Sequence, residues 1–146
     1  MQITTLLIAA ATAAVASARI DGIAVPQTIK PGDGFNARIL TENYIQSVYD
    51  VATAFGVAPG SGFEGSLGTV IGSFYLGPEQ SNVLGNITKW VTLPNNTPAG
   101  KAVISASFFS LYGAGAAPTI ETHNVTITVG DSTSTTYVSS FGGVGS

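Results

Sequence analysis

The chain has 146 residues, with 5 Lys+Arg against 8 Asp+Glu, one His, no Cys and a charged fraction of 9%. That fraction lies far below the roughly 25% of an average soluble domain, so Ser, Thr, Asn and Gly must form most of the surface. Five scattered cations (Arg19, Lys30, Arg38, Lys89 and Lys101) cannot build the basic footprint of a nucleic-acid binder. The absence of thiols excludes disulfides, thiolate zinc sites and cysteine nucleophiles.

Residues 1–18 are apolar, carry no charged side chain and close on Ala16-Ser17-Ala18, a fit to the small-residue cleavage rule. They predict a secretory signal peptide, a mature chain that starts at Arg19, and a secreted protein. No second apolar run follows, so no membrane span is expected. The compartment suits three glycosylation sequons, at Asn86, Asn95 and Asn124, each with Thr two residues on. Pro98 follows the Thr of the second and makes it the poorest acceptor.

Between residues 19 and 130 the apolar pattern has period two and the turns are rich in Pro and Gly, which predicts an all-β domain. Strands are expected over 20–25, 35–41, 47–55, 69–76, 87–93, 101–112 and 119–129. About seven strands without a disulfide suggest an immunoglobulin-like antiparallel β-sandwich held by its apolar core. If 35–40 pairs with 48–53 around a turn at 42–46, Ile39 faces Tyr49 and Ala37 faces Val51 inside. Arg38 then lies opposite Asp50 outside, a cross-strand ion pair worth roughly 0.2–1 kcal/mol. In the last strand Val125, Ile127 and Val129 share one face, and Asn124 points to solvent on the other. Trp90 is in phase with Asn86, Thr88 and Thr92, so it stands on the outer face unless a bulge returns it to the core. Residues 131–146 are Ser-, Thr- and Gly-rich and read as a flexible tail.

Catalytic and cofactor motifs fail on context. Gly60-Ser-Gly62-Phe-Glu-Gly65 satisfies G-x-G-x-x-G, but a strand pattern follows it where a dinucleotide site needs a helix. A lone His123 cannot form a multi-histidine metal site, and no G-x-S-x-G elbow presents a nucleophile to it. Eight acids lie mostly in turns, and no spacing selects a glycosidase pair. The expectation is a non-enzymatic chain without cofactor or metal. Apolar and aromatic residues at a loop tip, Tyr44 and Ile45, invite a binding role.

Several segments resemble the necrosis-inducing secreted protein (Nis) family of fungal effectors. They are Arg19-Ile-Asp-Gly22-Ile23, the turn Pro31-Gly32, the stretch Thr41-Glu-Asn-Tyr44-Ile45-Gln46-Ser47-Val48-Tyr-Asp50-Val51-Ala52, and Phe55-Gly56. The resemblance implies a small secreted protein that suppresses plant pattern-triggered immunity by binding immune-receptor-associated kinases, some members also causing cell death. It supplies no binding residues. Tyr44, Ile45, Gln46 and Asp50 are the partner-binding residues expected here, on a monomer that engages host receptor-like kinases. A carbohydrate-binding module of the cell wall is the alternative, with Trp90 as its stacking residue.

Overall fold

The computed structural model describes residues 17–141 and the backbone of 144–145. The expected signal segment therefore lies outside the described residues except for Ser17 and Ala18. The strands are β1 (Ala18–Pro26), β2 (Thr28–Ile29), β3 (Gly34–Asn43), β4 (Val48–Pro59), β5 (Thr69–Tyr75), β6 (Ile87–Thr92), β7 (Gly100–Tyr112), β8 (Ala117–Val129), β9 (Tyr137–Ser139) and β10 (Val144–Gly145). A 3-10 turn, Pro78–Gln80, follows β5.

Two five-stranded sheets form a sandwich. The first has the order β10-β9-β1-β3-β6 and the second β2-β8-β7-β4-β5. All pairings are antiparallel except β2 with β8. Period-two alternation puts Ile23, Phe35, Ala37, Ile39, Ile87 and Val91 of the first sheet against Phe55, Ile104, Phe108, Val125 and Ile127 of the second. Phe55 sits between Phe74 and Phe108, edge-on to both at centroid distances of 6.2 and 6.4 Å. With no disulfide, this interdigitated apolar layer carries the stability.

The expected hairpin between 35–40 and 48–53 does not form. β3 pairs with β1 and β6, whereas β4 pairs with β5 and β7 in the other sheet, so the segment between them is a crossover. Arg38 and Asp50 are consequently apart: Arg38 stacks on the Tyr137 ring at 3.7 Å, and Asp50 faces inward. A bulge between Asp50 and Ala52 is the physical reason. Val48 and Asp50 point into the sandwich, the extra residue Val51 resets the phase, and Thr53, Phe55 and Val57 point inward beyond it. An unbroken alternation had placed Tyr49 and Val51 inside.

The stretch read as a flexible tail from 131 also differs. β9 pairs with Ala24, Val25 and Pro26 of β1, and Tyr137 is buried with its hydroxyl donating to the Asn36 carbonyl at 2.8 Å. Ser140 closes the junction, its Oγ accepting from Ile23 N and its N–H donating to the Ile23 carbonyl. A segment poor in apolar residues is held here by ladder hydrogen bonds and one stacked aromatic ring.

Candidate partner-binding surface

Residues 44–47, between β3 and β4, form the tip of one end of the sandwich, where Tyr44 is tied down and Ile45 is not. Tyr44 N donates to the Ser17 carbonyl at 3.0 Å, and its ring meets Tyr112 edge-on at 5.6 Å. The Arg19 guanidinium lies 5.0 Å above the same ring, while its Nε donates to Glu42 at 2.5 Å. The Glu42 hydrogen bond holds Arg19 above its ordinary range. Tyr112 donates to Glu121, and burial first, then the Glu121 charge, pushes its phenol up to about 12. Ile45 is 94% exposed on this braced base, and Gln46 is exposed beside Gly113.

Asp50 stands apart from the other three expected residues. It is only 2% exposed and accepts a 2.6 Å hydrogen bond from Ser110 Oγ. Burial raises its pKa, the Ser110 bond opposes that rise, and Glu121 adds to it. An inward carboxylate anchors the start of β4 and offers a partner nothing to touch.

Beside this loop the outer face of the second sheet is apolar. Tyr75, Ala52, Phe109 and Ile120 are successive partners across β5, β4, β7 and β8, and Tyr49, Leu111 and Pro118 form the next row. Ile120 is 72% and Tyr75 67% exposed, Phe109 and Tyr49 are partly so, and the two tyrosine hydroxyls meet at 3.0 Å. Neither row carries a charged side chain. An uncharged, aromatic-rich face beside a loop anchored through Tyr44 has the chemistry of a protein interface. The expected residues missed this face, though β8 signals it: Ile120 shares the solvent phase with Thr122, Asn124 and Thr126, where an apolar residue has no core to enter.

Trp90 resolves to the outer face of the first sheet, 61% exposed, on a β3–β6 register that has no bulge. Its indole packs against Gly34, where a Cβ would strike the ring. The sequon residues Asn86, Asn95 and Asn124 are all exposed. His123 points inward against Phe108, with a buried Nε2 that has no partner and a pKa lowered by burial. The G-x-G-x-x-G string is a loop leading into β5. Among the described residues no group of three His, Cys, Asp or Glu is placed to hold a metal ion, and no helix is long and apolar enough to cross a membrane.

A sequence profile described as the Nis1 family matches residues 16–128. The chain is 58% identical over 139 residues to necrosis-inducing secreted protein 1 of Colletotrichum orbiculare, covering 94% of this chain and 86% of that protein. It is 54% identical over 133 residues to the protein of the same name from Colletotrichum higginsianum, covering 90% and 92%. Among solved structures, a superoxide reductase (neelaredoxin) from Ignicoccus hospitalis superposes with a TM-score of 0.46 at 12% identity over 78% of this chain and 80% of that one.

Proposed function

The chain belongs to the Nis1 family of secreted proteins, and from that premise we propose that it is a fungal effector that induces necrosis in plant tissue and suppresses pattern-triggered immunity by binding host receptor-like kinases. The observation that carries the binding mode is the uncharged face of Tyr49, Tyr75, Phe109 and Ile120 running up to Ile45. Aromatic and branched side chains on a rigid sheet are desolvated at little entropic cost, which is what a protein interface requires. The protein acts by occupancy as a monomer, and no residue of its own performs chemistry. Tyr44 braces the loop; Ile45, with the exposed Gln46 beside it, is the contact.

The test is capture of recombinant kinase cytoplasmic domains by the secreted chain, with phosphotransfer read in the same reactions. Wild type retains a kinase and slows phosphotransfer, whereas Ile45→Ser and Ile120→Ser each lose most of the capture with unchanged melting. Equal capture by both variants removes this face from the mechanism. Infiltration of leaves with the same proteins reads necrosis and the immune oxidative burst.

Trp90 favours a second reading, a carbohydrate-binding face on the other sheet. Its exposed indole, packed against Gly34 with Asn36 as cross-strand partner, offers a surface on which a sugar ring can stack. Retention on insoluble chitin or glucan that Trp90→Ala abolishes supports it; passage of wild type through both matrices ends it.

A further inference from the structure

The loop between β4 and β5 folds back over the outer face of the second sheet and encloses a groove of about 430 Å³. Its floor is Ser105, Ser107 and Thr122, and Asn124 and Phe63 stand in its walls. The volume falls within the roughly 300–1,000 Å³ of small-ligand clefts, and the lining mixes Ser and Thr hydroxyls, the Asn124 amide and the Glu64 carboxylate with Leu67, Val103 and the exposed Phe63 ring. The loop is held close because Leu67 runs directly over Gly56, where a Cβ would collide with the Leu67 carbonyl. The groove floor adjoins the apolar face: Ser107–Thr122 is the row next to Phe109–Ile120 on the same side of β7 and β8, and Ser105–Asn124 is the row beyond it.

We propose that this groove is the seat of the protein's own N-linked glycan: the first N-acetylglucosamine on Asn124 packs beneath Phe63 on the Ser105–Ser107–Thr122 floor. Three observations converge on that occupant. Asn124 is part of the groove wall and heads the sequon Asn124-Val-Thr126, whose Asn and Thr both point outward while Val125 is buried. Asn86 and Asn95 line no part of it. Phe63 is a large apolar side chain left in water by the bare polypeptide, and the C–H face of a pyranose is the surface that would cover it. Finally, β2 pairs with β8 only at Thr128 and Val129, so the edge of β8 beside Asn124 is open and the distal sugars can leave sideways into solvent.

Transfer follows the ordinary chemistry of the secretory route. Asn124 Nδ2 attacks C1 of the reducing-end sugar of a lipid diphosphate-linked oligosaccharide; the C1–O bond breaks, the lipid diphosphate leaves with the electron pair, and one amide proton is lost. The β7–β8 ladder fixes the Asn124 backbone in the folded chain, so transfer precedes folding and the sugar is enclosed as the loop settles.

The experiment uses the full chain secreted from a yeast host, with Asn86→Gln and Asn95→Gln so that Asn124 is the acceptor, trimmed enzymatically to a single N-acetylglucosamine. Mass spectrometry of the glycopeptide should show Asn124 occupied. The one-sugar protein should melt higher than its Asn124→Gln counterpart, by a shift on the order of 4 °C. Chymotryptic cleavage after Phe63 should slow several-fold. Phe63→Ala should erase the melting gain while leaving the melting of the Asn124→Gln protein unchanged. An unoccupied Asn124 overturns the proposal, as does a gain in melting that survives Phe63→Ala.

Discussion

Removing the Ser110 hydroxyl tests whether Asp50 is a buried, hydrogen-bonded carboxylate. Ser110→Ala deletes one oxygen from a strand position that is itself buried, without creating a cavity a side chain could fill. It deprives the 2%-exposed Asp50 carboxylate of its 2.6 Å donor. A hydrogen bond to a charged group contributes about 1.5–3 kcal/mol. At a domain size between the small and mid-sized cases, about 4 °C per kcal/mol, the melting temperature should fall by about 6–12 °C. The loss depends on pH. Burial raises the Asp50 pKa in the folded state, and losing the Ser110 bond raises it further. A carboxyl whose folded pKa lies above its unfolded value binds its proton more tightly when folded. Its cost is therefore full above the folded pKa and disappears as pH falls through it. Circular dichroism melts of wild type and Ser110→Ala should differ most near about pH 7 and converge toward about pH 4, and Asp50→Asn should flatten the dependence. An equal loss at both pH values, or one below about 0.5 kcal/mol, would show that the Asp50 charge is not held by Ser110 and refute the reasoning.

Phe55, fully buried between Phe74 and Phe108, should cost about 3–5 kcal/mol on truncation to Ala, read as a drop in denaturant midpoint with unchanged slope. Gly56→Ala drives a methyl into the Leu67 backbone, so it should destabilise by about 1–3 kcal/mol and speed proteolysis within 60–68. Burial lowers the pKa of His123, and the folded state therefore prefers the neutral ring. Stability held above the ordinary histidine range should be lost as pH falls from it toward the depressed folded value. His123→Phe should remove that component from a melting-versus-pH profile, and an unchanged profile would place the titration elsewhere.

Strand existence was legible because a half-buried strand writes its period into the chain: all seven expected strands are present, and β8 shows Val125, Ile127 and Val129 inward with Asn124 outward. The candidate surface was legible only in part. Tyr44 and Ile45 stand out as apolar residues in a turn, and the structure places both at the crossover. Tyr75 lies far along the chain from Phe109 and Ile120, which share the β7–β8 hairpin, and joins their row only through pairing across four strands. Asp50 deceived for a specific reason: a one-residue bulge inverts every later side chain of a strand, and nothing in the composition of Tyr49-Asp50-Val51-Ala52 marks where it falls.

What the amino-acid sequence by itself determined was therefore local and periodic: an all-β chain without thiols or a catalytic motif, its strand positions, its sequons and its Nis-family likeness. Sheet membership was decided by tertiary structure. Whether β3 turns back onto β4 or crosses to the opposite sheet depends on which non-local partners bury its apolar face, and a period of two satisfies either answer. The same holds for Tyr137, whose place against Arg38 and β1 rests on ladder bonds that no stretch of its own sequence encodes. Backbone pairing is blind to side-chain identity, so the sequence specifies strands more sharply than it specifies neighbours.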